Sequence, residues 1–351
     1  MAVSDPAKPA RMGRRRFMLT LGFFGASAAI GKALWSKGQS TSSVNGLEIV
    51  KRTGFALGAP ISLTVLHADH SLAEKALDEA FAELATIESV MSLYRSDSQI
   101  SRLNRDGTLA GAHPYLVEVL HAAQAMSRAS GGAFDVTVQP LWTLYSQLNS
   151  RGRLPTAGDV ERIRRLVDWK KVEIANSTIS IKGPGTQVTL NGIAQGFAVD
   201  RMIASLASHG VCHALIDTGE LGAMGQRLDG KPWTIGIRHP RNKDQYVSRF
   251  AIDGRCVSTS GDYENSFLPD YSVHHIFDPR TGRSPVELAS VTVVAKTGLA
   301  ADALSTAVFV AGAKRGLDLV TSTPGADALC VMKDGKTSMT KGFPANLALT
   351  A

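Results

Sequence analysis

The sequence predicts an α+β fold, a mixed or antiparallel sheet with helices packed on it, and three observations lead there. Short strand-like segments occur at hairpin spacing, separated by Asn and Gly turns. Helix-period segments stand apart from the strands instead of alternating with them, which argues against a doubly wound parallel sheet. From Leu47 onward no long linker, low-complexity run or solenoid-length repeat interrupts the chain. Residues 47–351 therefore read as one domain, long enough to be bilobal.

Taken in order, Ile61 to Leu66 alternates apolar and polar residues and predicts a strand. Ser71 with Glu74 has the spacing of a capping box, and Leu72, Ala76, Ala80, Leu84, Ile87 and Met91 then recur at helical spacing, so a helix is expected to about Leu93. A second helix is predicted from Tyr115 to Ala129, stopped by Gly131-Gly132, and a short third from Val160 to Val167. Residues 172–175, 178–181 and 187–190 read as short strands, and Ala194 to Ser208 as a helix. Strands are expected at 214–217, 233–238, 248–252, 273–277 and 291–295. Leu299 to Ala311 predicts a strongly apolar helix and Ala328 to Met332 a last buried strand.

The first 46 residues read as an address and a linker. Arg14-Arg15-Arg16-Phe17 is followed by an uncharged stretch to Ile30, and Ala26-Ser27-Ala28 offers a cleavage site. Paired arginines before Phe resemble a twin-arginine export signal, so a periplasmic location is expected, with a membrane tether if the signal is not cleaved. The apolar run is shorter than the roughly 20 residues that span a bilayer. Residues 36–46, rich in Ser, Thr, Gly and Asn, read as a linker.

This segment also explains the charge. The chain carries +7, but residues 1–40 hold seven Lys or Arg against Asp5 alone, leaving only +1 for the rest. A body so nearly neutral has no bulk electrostatic reason to bind nucleic acid. The three cysteines, Cys212, Cys256 and Cys330, are odd in number and fit no zinc spacing.

Several motifs carry possible chemistry. Asp302 and Thr306 lie at i and i+4 on one helix face. Two readings fit: oxygen ligands for a hard divalent cation, or a capping Asp with a Thr bonded back to the carbonyl four residues earlier. Asn191-Gly192-Ile193-Ala194-Gln195-Gly196-Phe197 joins a strand to a helix, where backbone amides favour phosphate. His274-His275-Ile276-Phe277-Asp278-Pro279 offers a general base or a surface pair leading into a turn, and on a strand only one His would face a given site. Gly-x-Ser-x-Gly, Walker and His-Glu-x-x-His signatures are absent.

The order of the motifs says more than any one of them. Met91-Ser-x-Tyr94, Ser98-x-Ile-Ser-x-Leu-Asn104, Ser130-Gly-Gly-Ala-Phe-Asp135, the Asn191 turn, Ser258-Thr-Ser-Gly-Asp-Tyr263, the His274 segment and Ala301-Asp-Ala-Leu-Ser-Thr306 follow one another. This series, spanning 54–312, resembles the ApbE family of FAD:protein FMN transferases. Residues 132–142 look most like its branch associated with nitrous-oxide reductase maturation, NosX. The resemblance implies an α+β fold with a T-fold-like core. It also implies a magnesium-dependent reaction that cleaves the FAD diphosphate, releases AMP and attaches FMN to a Thr or Ser of an acceptor protein, here expected to be a membrane-bound electron-transfer protein. By position, Asp302, Thr306 and the Ala194 carbonyl would hold magnesium. Leu57, Tyr94, Ala133, Phe134, Asp135, Asn191, Phe197 and Ile276 would contact FAD, and His275 would be the general base. The chain departs from the family pattern at Gln195, where Lys is common, at Thr189, where Asp often stands, and at Gly219-Glu220-Leu221, where Gly-Gly-Asp is common. Water as the acceptor would make the same site an FAD pyrophosphatase, and binding without turnover would make the chain a flavin-binding protein.

Overall fold

A computed structural model describes residues 36–44, 46–344 and 347. Nine strands form the main sheet: β1 (Ser36–Val44), β2 (Leu47–Ala56), β3 (Ala59–His67), β7 (His213–Asp217), β8 (Leu221–Met224), β11 (Cys256–Gly261), β12 (Leu288–Ala295), β13 (Asp327–Met332) and β14 (Thr337–Met339). They lie side by side in that order, and every neighbouring pair is antiparallel. A small sheet orders β4 (Thr108–Leu109), β6 (Thr178–Ile181) and β5 (Val172–Ala175), and β9 (Thr234–Arg238) pairs with β10 (Tyr246–Ala251). The helices are α1 (His70–Met91), α2 (Gln99–Asp106), α3 (Pro114–Ala129), α4 (Gln139–Asn149), α5 (Ala157–Arg164), α6 (Ala194–Ser208), α7 (Gly298–Ala311) and α8 (Ala313–Thr321).

The main sheet is covered on both faces. Ile61, Leu63 and Val65 of β3 enter the core with α1 and α6, whereas Leu66 joins Trp233, Ile235 and Phe250 of the β9–β10 hairpin on the other face. In β12 all eight residues are buried, because Val291 and Val293 meet α7 while Val294 meets the hairpin layer. A strand buried on both sides reads as a continuous apolar run. Ser71 is not the start of α1: Asp69 is its N-cap, its carboxylate accepting from the amides of Ser71 (2.8 Å) and Leu72 (3.1 Å). Glu74 instead pairs with Arg52 of β2. The buried stripe accordingly runs through Ala73, Ala76, Leu77, Ala80, Phe81, Leu84, Ile87, Val90 and Met91, and Leu72 is exposed.

Other expectations are corrected. Residues 36–44, read as a linker, form β1, whose backbone occupies the free edge of β2. The domain's sheet thus begins ahead of Leu47. The export signal lies outside the described residues. Residues 187–190 make no strand, since the Asn104 side-chain amide bonds both the N–H (2.6 Å) and the C=O (2.8 Å) of Val188 in place of a neighbouring strand. Residues 273–277 are likewise a loop. The Ser284 hydroxyl takes the His274 N–H (2.9 Å) and donates to its C=O (2.7 Å), leaving one bridge, Ser266 to His274. Helices α2, α4 and α8 and strands β2, β4, β8, β11 and β14 were not predicted.

Three substitutions test this account by urea denaturation. Asp69→Ala should cost about 1 kcal/mol of stability, while Ser71→Ala leaves the midpoint nearly unchanged. A Cβ at Gly196 would collide with the Gly298 carbonyl, and one at Gly298 with the Gly196 carbonyl. Backbone atoms cannot rotate aside, so Gly196→Ala should cost about 1–3 kcal/mol.

Candidate active site

The close crossing of α6 and α7 builds the centre of the site. Each helix supplies a carboxylate to the other's free amides, four of which are left at any helix N-terminus. Asp200 of α6 accepts from Gly298 N (2.6 Å) and Leu299 N (2.9 Å) of α7. Asp302 of α7 accepts through Oδ2 from Gly196 N (2.9 Å) of α6. Asp302 is 3% exposed, and burial pushes its pKa up to about 7 despite that hydrogen bond. Thr306 follows one turn later. A Cβ on Gly192 would lie 2.9 Å from Thr306 Oγ1, so this glycine lets the turn before α6 lie against Thr306. Asp302 does not cap its own helix, and it is Ser305, not Thr306, whose hydroxyl donates back to a carbonyl, that of Asp302 (2.9 Å). The structural alternative for this pair therefore fails.

The oxygens this crossing brings to the start of α6 are the Asp302 carboxylate and the Thr306 hydroxyl, and Ala194 is the first residue of that helix. A buried carboxylate whose charge is disfavoured by its surroundings is chemically suited to a hard cation such as magnesium. No group of three or more His, Cys, Asp and Glu side chains able to hold a metal occurs among the described residues. Backbone, hydroxyl or substrate oxygens would thus have to complete the shell.

A second buried carboxylate belongs to this centre and was not selected from the sequence. Glu220, in the β7–β8 turn, is 8% exposed and accepts from Thr259 N (3.2 Å). Burial, and then the nearby Asp302 charge, hold its pKa well above the ordinary carboxylate range. Gln195 ties this turn to α6: its side chain donates to Thr218 O (3.0 Å), and the Thr218 hydroxyl donates to Gln195 O (3.0 Å). Gly219, at φ +95°, leaves room for the Gln195 amide. The neutral residue standing in place of the common Lys therefore braces a loop.

The expected FAD-contact residues fall into distinct settings. Leu57 (φ 52°) and Gly58 (φ 79°) make the two-residue turn of the β2–β3 hairpin, and a left-handed Leu is unusual. The Tyr94 ring, 68% exposed, lies against Gly58, and Leu57 N donates to Glu88 Oε2 (2.5 Å). Ala133 and Phe134 are buried, with the Phe134 ring beside Gly192. Ile276 and Ala133 share the apolar cluster under α7. Asn191 is exposed. The Asp135 carboxylate is committed within the fold, accepting from Thr137 N (2.7 Å), Thr137 Oγ1 (2.6 Å) and Trp169 N (3.0 Å). The Phe197 ring is core, edge-on to Tyr115 at 5.2 Å. A cavity of about 430 Å³ next to Leu93 is bounded by Ser101 and Asn104 of the Ser98–Asn104 motif and by Arg105, Gln139, Thr143 and Gln187, which the sequence reading did not single out.

The two histidines differ although both lie in the same loop. His274 is fully buried, its Nε2 donating to Pro285 O (3.0 Å). His275 is tied by its backbone N–H to Asn265 O (3.0 Å), and its buried Nδ1 has no partner among the described residues. Burial pushes both pKa values down to about 4, so both rings are neutral at pH 7. The loop is anchored by fully buried Asp262, which accepts two hydrogen bonds from Arg241 (2.7 Å each) and pairs with Lys333 (3.3 Å). Lys333 also donates to Tyr271 O (2.6 Å).

Comparison with known proteins shows which family the chain belongs to. The profile of the ApbE family matches residues 57–330. An FAD:protein FMN transferase from Treponema pallidum is 32% identical over 295 residues, covering 76% of this chain and 80% of its own. One from Vibrio cholerae is 34% identical over 249 residues, covering 67% and 72%. Among solved structures, the flavin transferase ApbE from Vibrio cholerae has a TM-score of 0.74 at 29% identity and covers 85% of this chain and 98% of its own. The apo form of the Pseudomonas stutzeri flavinyl transferase ApbE has a TM-score of 0.72 at 33% identity, covering 84% and 95%. With the profile spanning most of its length and relatives above 30% identity over two thirds or more of it, the chain belongs to the ApbE family.

Proposed function

We propose that this protein is an FAD:protein FMN transferase that uses magnesium, releases AMP and leaves FMN joined through its phosphate to a Thr or Ser hydroxyl of an acceptor protein. The observation that carries the reading is the α6–α7 crossing, which buries Asp302 beside the Gly192 turn and Thr306 in a chain of this family. Asp302, Thr306 and the Ala194 carbonyl would hold the cation. When bound, magnesium supplies charge neutralisation for the diphosphate as its P–O bond breaks.

The chain's own residues do the rest. The α6 N-terminus offers amides to phosphate oxygens. His275 is neutral at pH 7, so its imidazole would be the base that takes the proton of the acceptor hydroxyl. The hydroxyl oxygen bonds to the FMN phosphorus, the bond to the AMP oxygen breaks, and AMP leaves with the electron pair. The Leu57–Gly58 turn and Tyr94 offer a fixed aromatic surface to a flat ring system. The export signal supports a periplasmic acceptor, and the NosX resemblance supports an electron-transfer protein serving nitrous-oxide respiration.

The test is to mix the protein with FAD, magnesium and a candidate acceptor domain and to weigh the acceptor. A mass gain of one FMN phosphoester, with AMP formed in equal amount, is expected. AMP and free FMN with no gain on any acceptor would overturn the transferase in favour of a pyrophosphatase. Asp302→Asn keeps an acceptor for Gly196 N–H but removes the charge. It should therefore retain the wild-type melting temperature while losing both transfer and the magnesium-induced rise in melting temperature.

A pH dependence follows from the raised pKa of Asp302. A proton competes with the cation for this carboxylate, so at limiting magnesium kcat/KM should fall as pH drops below about 7. Raising magnesium should move that limb to lower pH, and an acid limb indifferent to magnesium would contradict the assignment.

A further inference from the structure

Four hydroxyls meet beneath the α6–α7 crossing. Alternate residues of a strand share a face, so β11 turns both Ser258 and Ser260 toward α7. Thr259 between them bonds Thr292 of β12 instead (2.8 Å). Ser305 Oγ lies 3.0 Å from Ser258 Oγ, 2.8 Å from Ser260 Oγ and 2.9 Å from the Asp302 carbonyl oxygen. Ser260 Oγ in turn lies 3.3 Å from Thr306 Oγ1. Ser258 is 1% exposed and Ser305 not at all, so bulk water does not compete for these contacts.

Proton counting fixes the bonds that matter for Thr306. The Ser258 hydroxyl also bonds the Glu220 carboxyl, so five contacts share four hydroxyl protons, and the Asp302 carbonyl has none to give. In every arrangement that makes four of the five contacts, Ser260 donates to Ser305 and Thr306 donates to Ser260, whichever way the Ser258 and Ser305 protons point. Buried polar groups are strongly driven to such pairing. Thr306 thereby spends its only proton on Ser260, and both lone pairs of its Oγ1 are left for the site.

We propose that Ser260 and Ser305 are positioning residues that hold the Thr306 hydroxyl as a donor to Ser260 and so present its lone pairs to the divalent cation. This rests on the magnesium reading above. A hydroxyl without that acceptor rotates, and in part of its range it turns a proton toward the cation. Side chains that orient a metal ligand typically matter about 10- to 100-fold in metal affinity. The sequence carried the signal as the alternation Ser258-x-Ser260 opposite Ser305-Thr306.

The experiment is calorimetric titration of the purified protein with magnesium chloride, together with the melting temperature in EDTA. Ser260→Ala should weaken magnesium roughly tenfold while the melting temperature in EDTA stays near wild type. Ser260→Thr, which keeps the hydroxyl, should restore the affinity. Thr306→Val should weaken magnesium by itself, and adding Ser260→Ala to it should cause no further loss, because the two act through one oxygen. A merely structural serine would lower the melting temperature in EDTA and would add its effect to that of Thr306→Val. Should Ser260→Ala prove too unstable, Ser305→Ala removes the common acceptor and is expected to weaken magnesium likewise. Unchanged affinity in these serine variants, with binding abolished in Asp302→Asn, would overturn the proposal alone. Wild-type affinity in Asp302→Asn would overturn the magnesium site itself, and this proposal with it.

Discussion

Two helices that cross at glycine, each capping the other, are the constraint on which this site depends. With any side chain at Gly196 or Gly298 the backbones could not approach, and Asp302 could not reach the Gly196 amide nor Asp200 the amides of Gly298 and Leu299. The exchange answers the free amides of both N-termini with carboxylates, the sign that a helix N-terminus favours. It also fixes Asp302 in place without its own helix using it as a cap. One carboxylate oxygen is engaged in holding the fold, and among the described residues the other accepts no donor. The same contact thus serves packing and leaves a ligand in place.

The rest of the site is hung from that crossing. Gly192 lets the turn before α6 lie on Thr306, and Phe134 closes against the same glycine. Gln195 brings in the β7–β8 turn with Glu220, and β11 lies beneath α7 with its serines. Central strands β11 and β12 pair over six residues in unbroken register, so the floor under the hydroxyls is rigid. The His275 loop has only the single bridge of His274 to Ser266 and relies on Ser284 and the Asp262, Arg241 and Lys333 cluster instead.

What the sequence disclosed, and what it hid, follows from where each interaction acts. Helices α6 and α7 were legible because long apolar periodicity outlasts local ambiguity, and α6 is observed from Ala194 to Ser208 as read. The Asp302–Thr306 pair was legible because i, i+4 spacing is local. Partners distant in the chain were not. Asn104 mimics a strand for Val188, Ser284 does so for His274, and Asp69 outcompetes the Ser71–Glu74 pattern because Glu74 is drawn to Arg52. Glu220 was seen only as a departure from a familiar string, since its burial arises from strands that meet far from one another in sequence. Phe197 and Asp135 show the converse: a motif position says little about where the side chain is spent.

The charge state of the site follows from burial acting oppositely on acids and bases. Burial raises Asp302 to about 7 and Glu220 well above its ordinary range, and lowers His274 and His275 to about 4. Near pH 7 both histidines are therefore neutral, while the Asp302 carboxyl is partly protonated. For Asp302 the folded state binds more protons than the unfolded chain between 3.8 and about 7, so stability falls as pH rises through that window. For the histidines the folded state binds fewer protons between about 4 and 6.5, so stability falls as pH drops there. These opposed slopes partly cancel across mildly acidic pH. A cation arriving with an anionic diphosphate brings charges of both signs. It displaces the proton that Asp302 carries part of the time near pH 7, so the same burial that raises this carboxyl makes it most fully ionised when a counterion is beside it.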